Sequence, residues 1–268
     1  MLQRRIAAGG PVFYVSPQLS ALGVRHAFST RQGGVSAAPF DSLNLGNPNG
    51  CAIQDDEPRI QENYRRLQAA IGCESSRRCW VHQVHAATVA DATGPDFHNS
   101  LKADALVTTD ASQVLSVRIA DCVPILLADE SGSCVSAVHA GWRGVIAGVI
   151  PAAVKAMARP PIAAAIGPCI GFDTFEVGPE VLAEFERVFG RAAPSRRESD
   201  GKGRVDLRAA CRIQLRHAGV SDERIDGTDR CTFRDAEEFF SHRRDNGVTG
   251  RMAALIAPRS VPAASIGR

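Results

Sequence analysis

Short apolar runs bounded by turn formers recur along the chain, and the most pronounced pair lies near its middle. Val123, Ile125, Leu126 and Leu127 make one run, 134–138 makes a second, and the residues between them, 129–133, include turn formers. This pattern predicts a hairpin whose second strand returns beside the start of its first. Further strands are expected over 24–28, 104–108, 114–119, 162–166 and 251–257. The segment 79–90 alternates as a strand would, with Trp80, His82 and Val84 on one face and Val81, Gln83 and His85 on the other. On that reading only one of the two histidines reaches a given site.

Four segments carry the helical period instead. Over 56–72, Ile60, Tyr64, Leu67 and Ile71 share a face, Asp56 is placed to cap, Pro58 sits early and Gly72 ends the run. A helix over 145–158 should be kinked, or started later, by Pro151. Over 179–189, Val181, Phe185 and Val188 are expected inward. Asp206 is placed to cap a helix over 207–218 that Gly219 stops. The stretch 190–203, dense in Arg, Ser, Asp and Gly, reads as an irregular surface loop. Periodicity alone therefore supports a mixed α and β protein, with no internal repeat.

Composition narrows the class. The chain has 268 residues with 31 basic and 29 acidic side chains, a formal charge of +2, and carries no broad electrostatic footprint for nucleic acid. With 44% hydrophobic and 22% charged residues it resembles an ordinary soluble globular protein. Its apolar stretches are too short to span a bilayer. Arg4 and Arg5 are not followed by the apolar core of a secretory signal, so a cytoplasmic location is expected. The eight cysteines include no CxxC pair, and thiols rather than disulfides or a zinc ribbon are expected of them.

Candidate chemistry returns the argument to the hairpin. Cys122 and His139 stand at its two ends and should meet at one end of a sheet. A thiolate beside an imidazole serves either as part of a metal site or as a nucleophile pair. Arg31 lies in a loop with Gly33 and Gly34, where backbone N–H groups could gather an anion, although a plain turn explains the same residues. Arg143 follows His139 at the expected start of a helix.

The motifs TRQGGVSAAPFDSLNLG, HQVHAATV, KADALVTT, ADCVPILLAD, HAGWRG, AAIGPCIG, FEVGPEV, and CTF followed by FFSHRRDNGVTGR occur in that order. Together, over about 24–257, they resemble the family once described as multicopper polyphenol oxidoreductase or laccase and now as zinc-dependent purine nucleoside phosphorylases. The resemblance implies an α+β fold, with mixed sheets packed together and flanked by helices in a single domain spanning 1–268. It implies a metal held by His85, Cys122 and His139, with Ala86 standing where the family has glycine; the added methyl is expected to narrow the site slightly. Two imidazoles and one thiolate suit Zn²⁺ with a fourth position open. Copper fits less well, because none of the seven histidines forms an HxH pair.

The activity implied is phosphorolysis of adenosine, inosine, guanosine or methylthioadenosine, with adenosine deamination as a companion. Arg31, Arg143 and Arg243 are the candidates for phosphate, since guanidinium binds it in a fork. The expected partners are a purine nucleoside and phosphate, with neither nucleic acid nor membrane, in a monomer or homodimer. Four alternatives stay open: a Cys–His hydrolase or transferase built on Cys122 and His139, an enzyme editing peptidoglycan precursors, a copper-dependent polyphenol oxidase, and a non-enzymatic zinc protein.

Overall fold

The computed structural model describes residues 1–48, 50–159 and 162–259. Two six-stranded sheets carry its core. The first runs in the order Gln3–Ile6 (β1), Val12–Val15 (β2), Arg25–Ser29 (β3), Met252–Ala257 (β15), Gln113–Ile119 (β7) and Arg77–Cys79 (β4). The second runs Ile225–Asp226 (β14), Ile162–Ile166 (β10), Val123–Asp129 (β8), Val135–Ala140 (β9), Ala105–Thr108 (β6) and Val89–Asp91 (β5). Both are mixed, with parallel pairs at the edges (β4 with β7, β10 with β14, β5 with β6). A small third sheet joins Glu176–Val177 (β11), Gly203–Val205 (β13) and Ser195–Arg197 (β12).

Alternation along the strands explains the layers. On β15, Ala254 and Ile256 pack with Leu126, Ala137 and Ala165 between the two sheets. Ala253 and Leu255 face the other way, onto Ile60, Tyr64 and Leu67 of the helix Glu57–Ala70 (α2). The outer face of the second sheet (Ile125, Leu127, Val138, Ala164) is covered by Val149–Met157 (α4), Pro179–Phe189 (α5) and Leu207–His217 (α6). Two shorter helices, Pro17–Ala21 (α1) and Trp142–Ala147 (α3), complete the α-helices of the described residues. The α+β arrangement expected of the chain is the one observed, and all eight cysteines are free thiols. No helix among the described residues is long and apolar enough to cross a membrane.

Several local expectations are corrected. The segment 79–90 is not a strand: β4 ends at Cys79, β5 begins at Val89, and a loop lies between them. The helix expected over 145–158 is two, α3 and α4, separated by Gly148 at φ +84°, with Pro151 in the first turn of the second. Asp56 occupies the N-cap of α2 without making a cap bond, its carboxylate lying 3.4 Å from Arg59 instead. Asp206 does cap α6, accepting from the Ala209 N–H. Val188 is exposed rather than inward, because α5 buries only Val181, Leu182 and Phe185. The stretch 190–203 contributes β12 and the start of β13, so it is more ordered than its composition suggests.

Candidate metal centre

The chain leaves the first sheet at the end of β7 and enters the second at the start of β8, and Cys122 sits in that crossing. Asp121 just before it has φ +98°, a region costly for a residue with a Cβ. The surroundings fix it there. Its carboxylate accepts from Thr232 Oγ1 at 2.6 Å and from the Arg243 N–H at 2.7 Å, and its carbonyl accepts from the Ile170 N–H at 2.9 Å. On β9, the register sets His139 opposite Pro124, which brings it to the same end of the sheet as Cys122. The hairpin thus joins the two residues as its pattern predicted.

His85 arrives from the loop between β4 and β5, itself in the left-handed region at φ +59°. One side chain explains that conformation. Asp104, fully buried just before β6, accepts from the N–H groups of Val84 (3.1 Å), His85 (2.9 Å) and Ala86 (2.7 Å), curling the loop around its carboxylate. The same carboxylate lies 2.8 Å from His139 Nδ1. A carboxylate only accepts, so Nδ1 keeps a proton and Nε2 is the ring nitrogen that can ligate a metal. Asp104 therefore orients two of the three candidate ligands, a role the sequence did not reveal.

The ligand atoms of His85, Cys122 and His139 all lie within 4.8 Å of one another, the single group of this kind found among the described residues. Zn–S near 2.3 Å and Zn–N near 2.0 Å put sulfur and nitrogen about 3.5 Å apart around a tetrahedral ion. Cys122 Sγ and His85 Nε2 are 3.8 Å apart. The two rings stand nearly edge to face, at 74° with centroids 5.0 Å apart, so both can aim at a common point. Gly141 makes the approach possible: a Cβ there would come within 2.5 Å of the His85 ring and 3.1 Å of the Cys122 sulfur. The donor set and spacing fit a metal ion with one or more positions open.

The electrostatics agree. Burial alone would raise the Cys122 thiol, but the His139 imidazole and then that of His85 together outweigh it and bring the pKa down to about 6. Burial would likewise lower His139, yet the Cys122 thiolate and then Asp104 raise it to about 9. Burial opposes ionisation of Asp104 as well, and its bonds to His139 and the loop N–H groups nevertheless hold its pKa below the ordinary value.

A cavity of about 300 Å³ opens over the three side chains. Its polar lining is completed by Asn47, His82, Gln83, Arg118, His242 and Arg251. His82 and His85 thus face one cavity, which strand geometry would have forbidden. The arginines singled out in the sequence do not line it. Arg31 donates to the carbonyls of Asp41 and Ala236 and covers the Phe240 ring. Arg143 is exposed over Trp142, and Arg243 reaches the Glu176 carbonyl beside Phe175. Ala86 does not line the cavity, so its methyl does not narrow it.

Comparison with known proteins agrees with this picture. The family model described as multi-copper polyphenol oxidoreductase laccase matches residues 25–259, and the chain belongs to that family. It is 42% identical over 236 residues to the purine nucleoside phosphorylase YfiH of Escherichia coli (strain K12), covering 87% of this chain and 93% of the relative. A purine nucleoside phosphorylase of Deinococcus radiodurans is 41% identical over 244 residues, covering 88% and 89%. Among solved structures, YlmD from Geobacillus stearothermophilus superposes with a TM-score of 0.84 at 34% identity, covering 96% of this chain and 99% of that one.

Proposed function

We propose that this protein is a zinc-dependent purine nucleoside phosphorylase. The observation that carries the reading is a three-donor set, His85, Cys122 and His139, open on a cavity of nucleoside-binding size. Relatives at about 40% identity that bear the name support the substrate class. When bound, the ion supplies a Lewis acid at the floor of the cavity. The remaining chemistry falls to the side chains. A phosphate oxygen bonds to C1′ of the ribose as the C1′–N9 bond breaks, and the departing purine takes up a proton. His82 and His242 are the cavity's imidazoles outside the donor set and can deliver that proton. Gln83 is fixed by two bonds to the Arg118 backbone (2.7 and 2.8 Å), so the loop bearing His82 and His85 is held against β7. Adenosine deamination at the same site is the companion activity we assign, with the cytoplasm as the location.

One observation favours a second reading. Asp104, His139 and Cys122 are arranged as an acid–imidazole–thiol relay, with the thiol poised toward thiolate. A Cys–His hydrolase would use this arrangement directly, but it has no use for His85 against the sulfur. Assays of inosine and adenosine with and without phosphate separate the readings. Free base and ribose 1-phosphate, formed only when phosphate is present, are expected. Base release at the same rate without phosphate makes the protein a hydrolase and overturns the proposal.

A further inference from the structure

We infer that Arg118 and Arg251 form an oxyanion site in the cavity beside His85, Cys122 and His139, built to hold a phosphate group. The register of β7 on β15 produces it. Arg118 lies opposite Ala253, and Met252 lies opposite Ile119. Arg251 is two residues from Ala253, so the two arginines share one face as diagonal neighbours, within reach of each other for long side chains. Both line the cavity.

Like charges so placed repel, and no direct ion pair offsets them. Among the described residues no carboxylate pairs with either guanidinium. The Asp121 carboxylate, bonded to the Thr232 hydroxyl and the Arg243 N–H, and the Cys122 thiolate act on Arg251 through their charge without pairing with it. Neutral groups hold both arginines instead. The Arg118 side chain packs over Gly46, where a Cβ would sit 2.7 Å from its Cδ, and its guanidinium stands 5.5 Å from the Trp80 ring centre. Arg251 Nη1 donates to the carbonyls of Thr249 and Gly250. Burial first, and then the positive charge of Arg118, lower the pKa of Arg251. A ligand carrying negative charge relieves this arrangement, and two guanidinium forks match the oxygens of a phosphate. A neutral base or ribose has no need of two cations.

Assigning the site to the attacking phosphate rests on the phosphorolysis reading, whereas binding itself does not. The phosphate could be inorganic or the 5′-phosphate of a nucleotide. Calorimetric titration of the full-length, metal-loaded protein with inorganic phosphate alone, and separately with adenosine 5′-monophosphate, distinguishes the two. Arg118→Gln and Arg251→Gln should each weaken phosphate binding about tenfold or more at unchanged metal content. Arg118→Lys, which keeps the charge and loses the fork, should fall between, and Arg143→Gln outside the cavity should bind as the parent does. Tighter binding of the nucleotide, lost in the same variants, supports the site and names its source. Phosphate binding kept while base release ignores phosphate leaves the site standing and removes only the phosphorolysis reading. Equal phosphate affinity in the parent, Arg118→Gln and Arg251→Gln overturns the inference, as does no binding to the parent at millimolar phosphate.

Discussion

Replacing Asp104 by asparagine should damage the candidate metal centre without touching any of its three candidate ligands. One carboxylate oxygen faces His139 Nδ1 and the His85 N–H, and the other faces the N–H groups of Val84 and Ala86. Every partner is a donor. An amide must turn its NH₂ toward one of these pairs, so two charge-assisted bonds are lost whichever way it flips. At about 1.5–3 kcal/mol for each bond to a charged group, the metal-free fold should lose roughly 3–6 kcal/mol. In a chain of this size about 1 kcal/mol moves the melting temperature by roughly 2–4 °C, so a fall on the order of 6 °C or more is expected. Loss of an outer partner to a ligating histidine typically weakens metal binding about 10–100-fold. Thermal melts of metal-free protein and competition with a chromophoric chelator measure the two effects. A variant that melts within about 2 °C of the parent and binds metal within about twofold would refute the role given to Asp104.

Other outcomes follow from the same geometry. Gly141→Ala drives a methyl toward the His85 ring, so metal affinity should fall while the fold, seen by circular dichroism, persists. In metal-free protein the Cys122 thiol should ionise with a midpoint near 6, followed by alkylation rate against pH. The lowered thiol stabilises the fold above its unfolded value of 9.0, and that gain is lost as pH falls through about 6; the raised His139 stabilises below its unfolded value of 6.5, and loses this as pH rises through about 9. His139→Ala removes the main opposing charge, and burial should then move the Cys122 midpoint upward.

Much of this was legible in the residues. The hairpin at 123–140, the cap of α6 by Asp206 and the single face of α2 all follow local patterns, which short-range physics enforces. Cys122 and His139 were legible because one hairpin joins them. The loop at His85 was not: CWVHQVHAATVA alternates as a strand, and only the distant Asp104 carboxylate bends it. Arg118 and Arg251 carry no local signal for a similar reason, since strands from remote parts of the chain bring them to one face. Arg31 and Arg143 have a suggestive local context, a glycine loop and the neighbouring His139, yet their side chains serve Asp41, Ala236 and Trp142.

Metal content tests the central claim most directly. Elemental analysis of the purified protein and of Cys122→Ala, both confirmed as folded, should find about one zinc per chain in the parent and almost none in the variant. Full metal occupancy in folded Cys122→Ala would contradict the account.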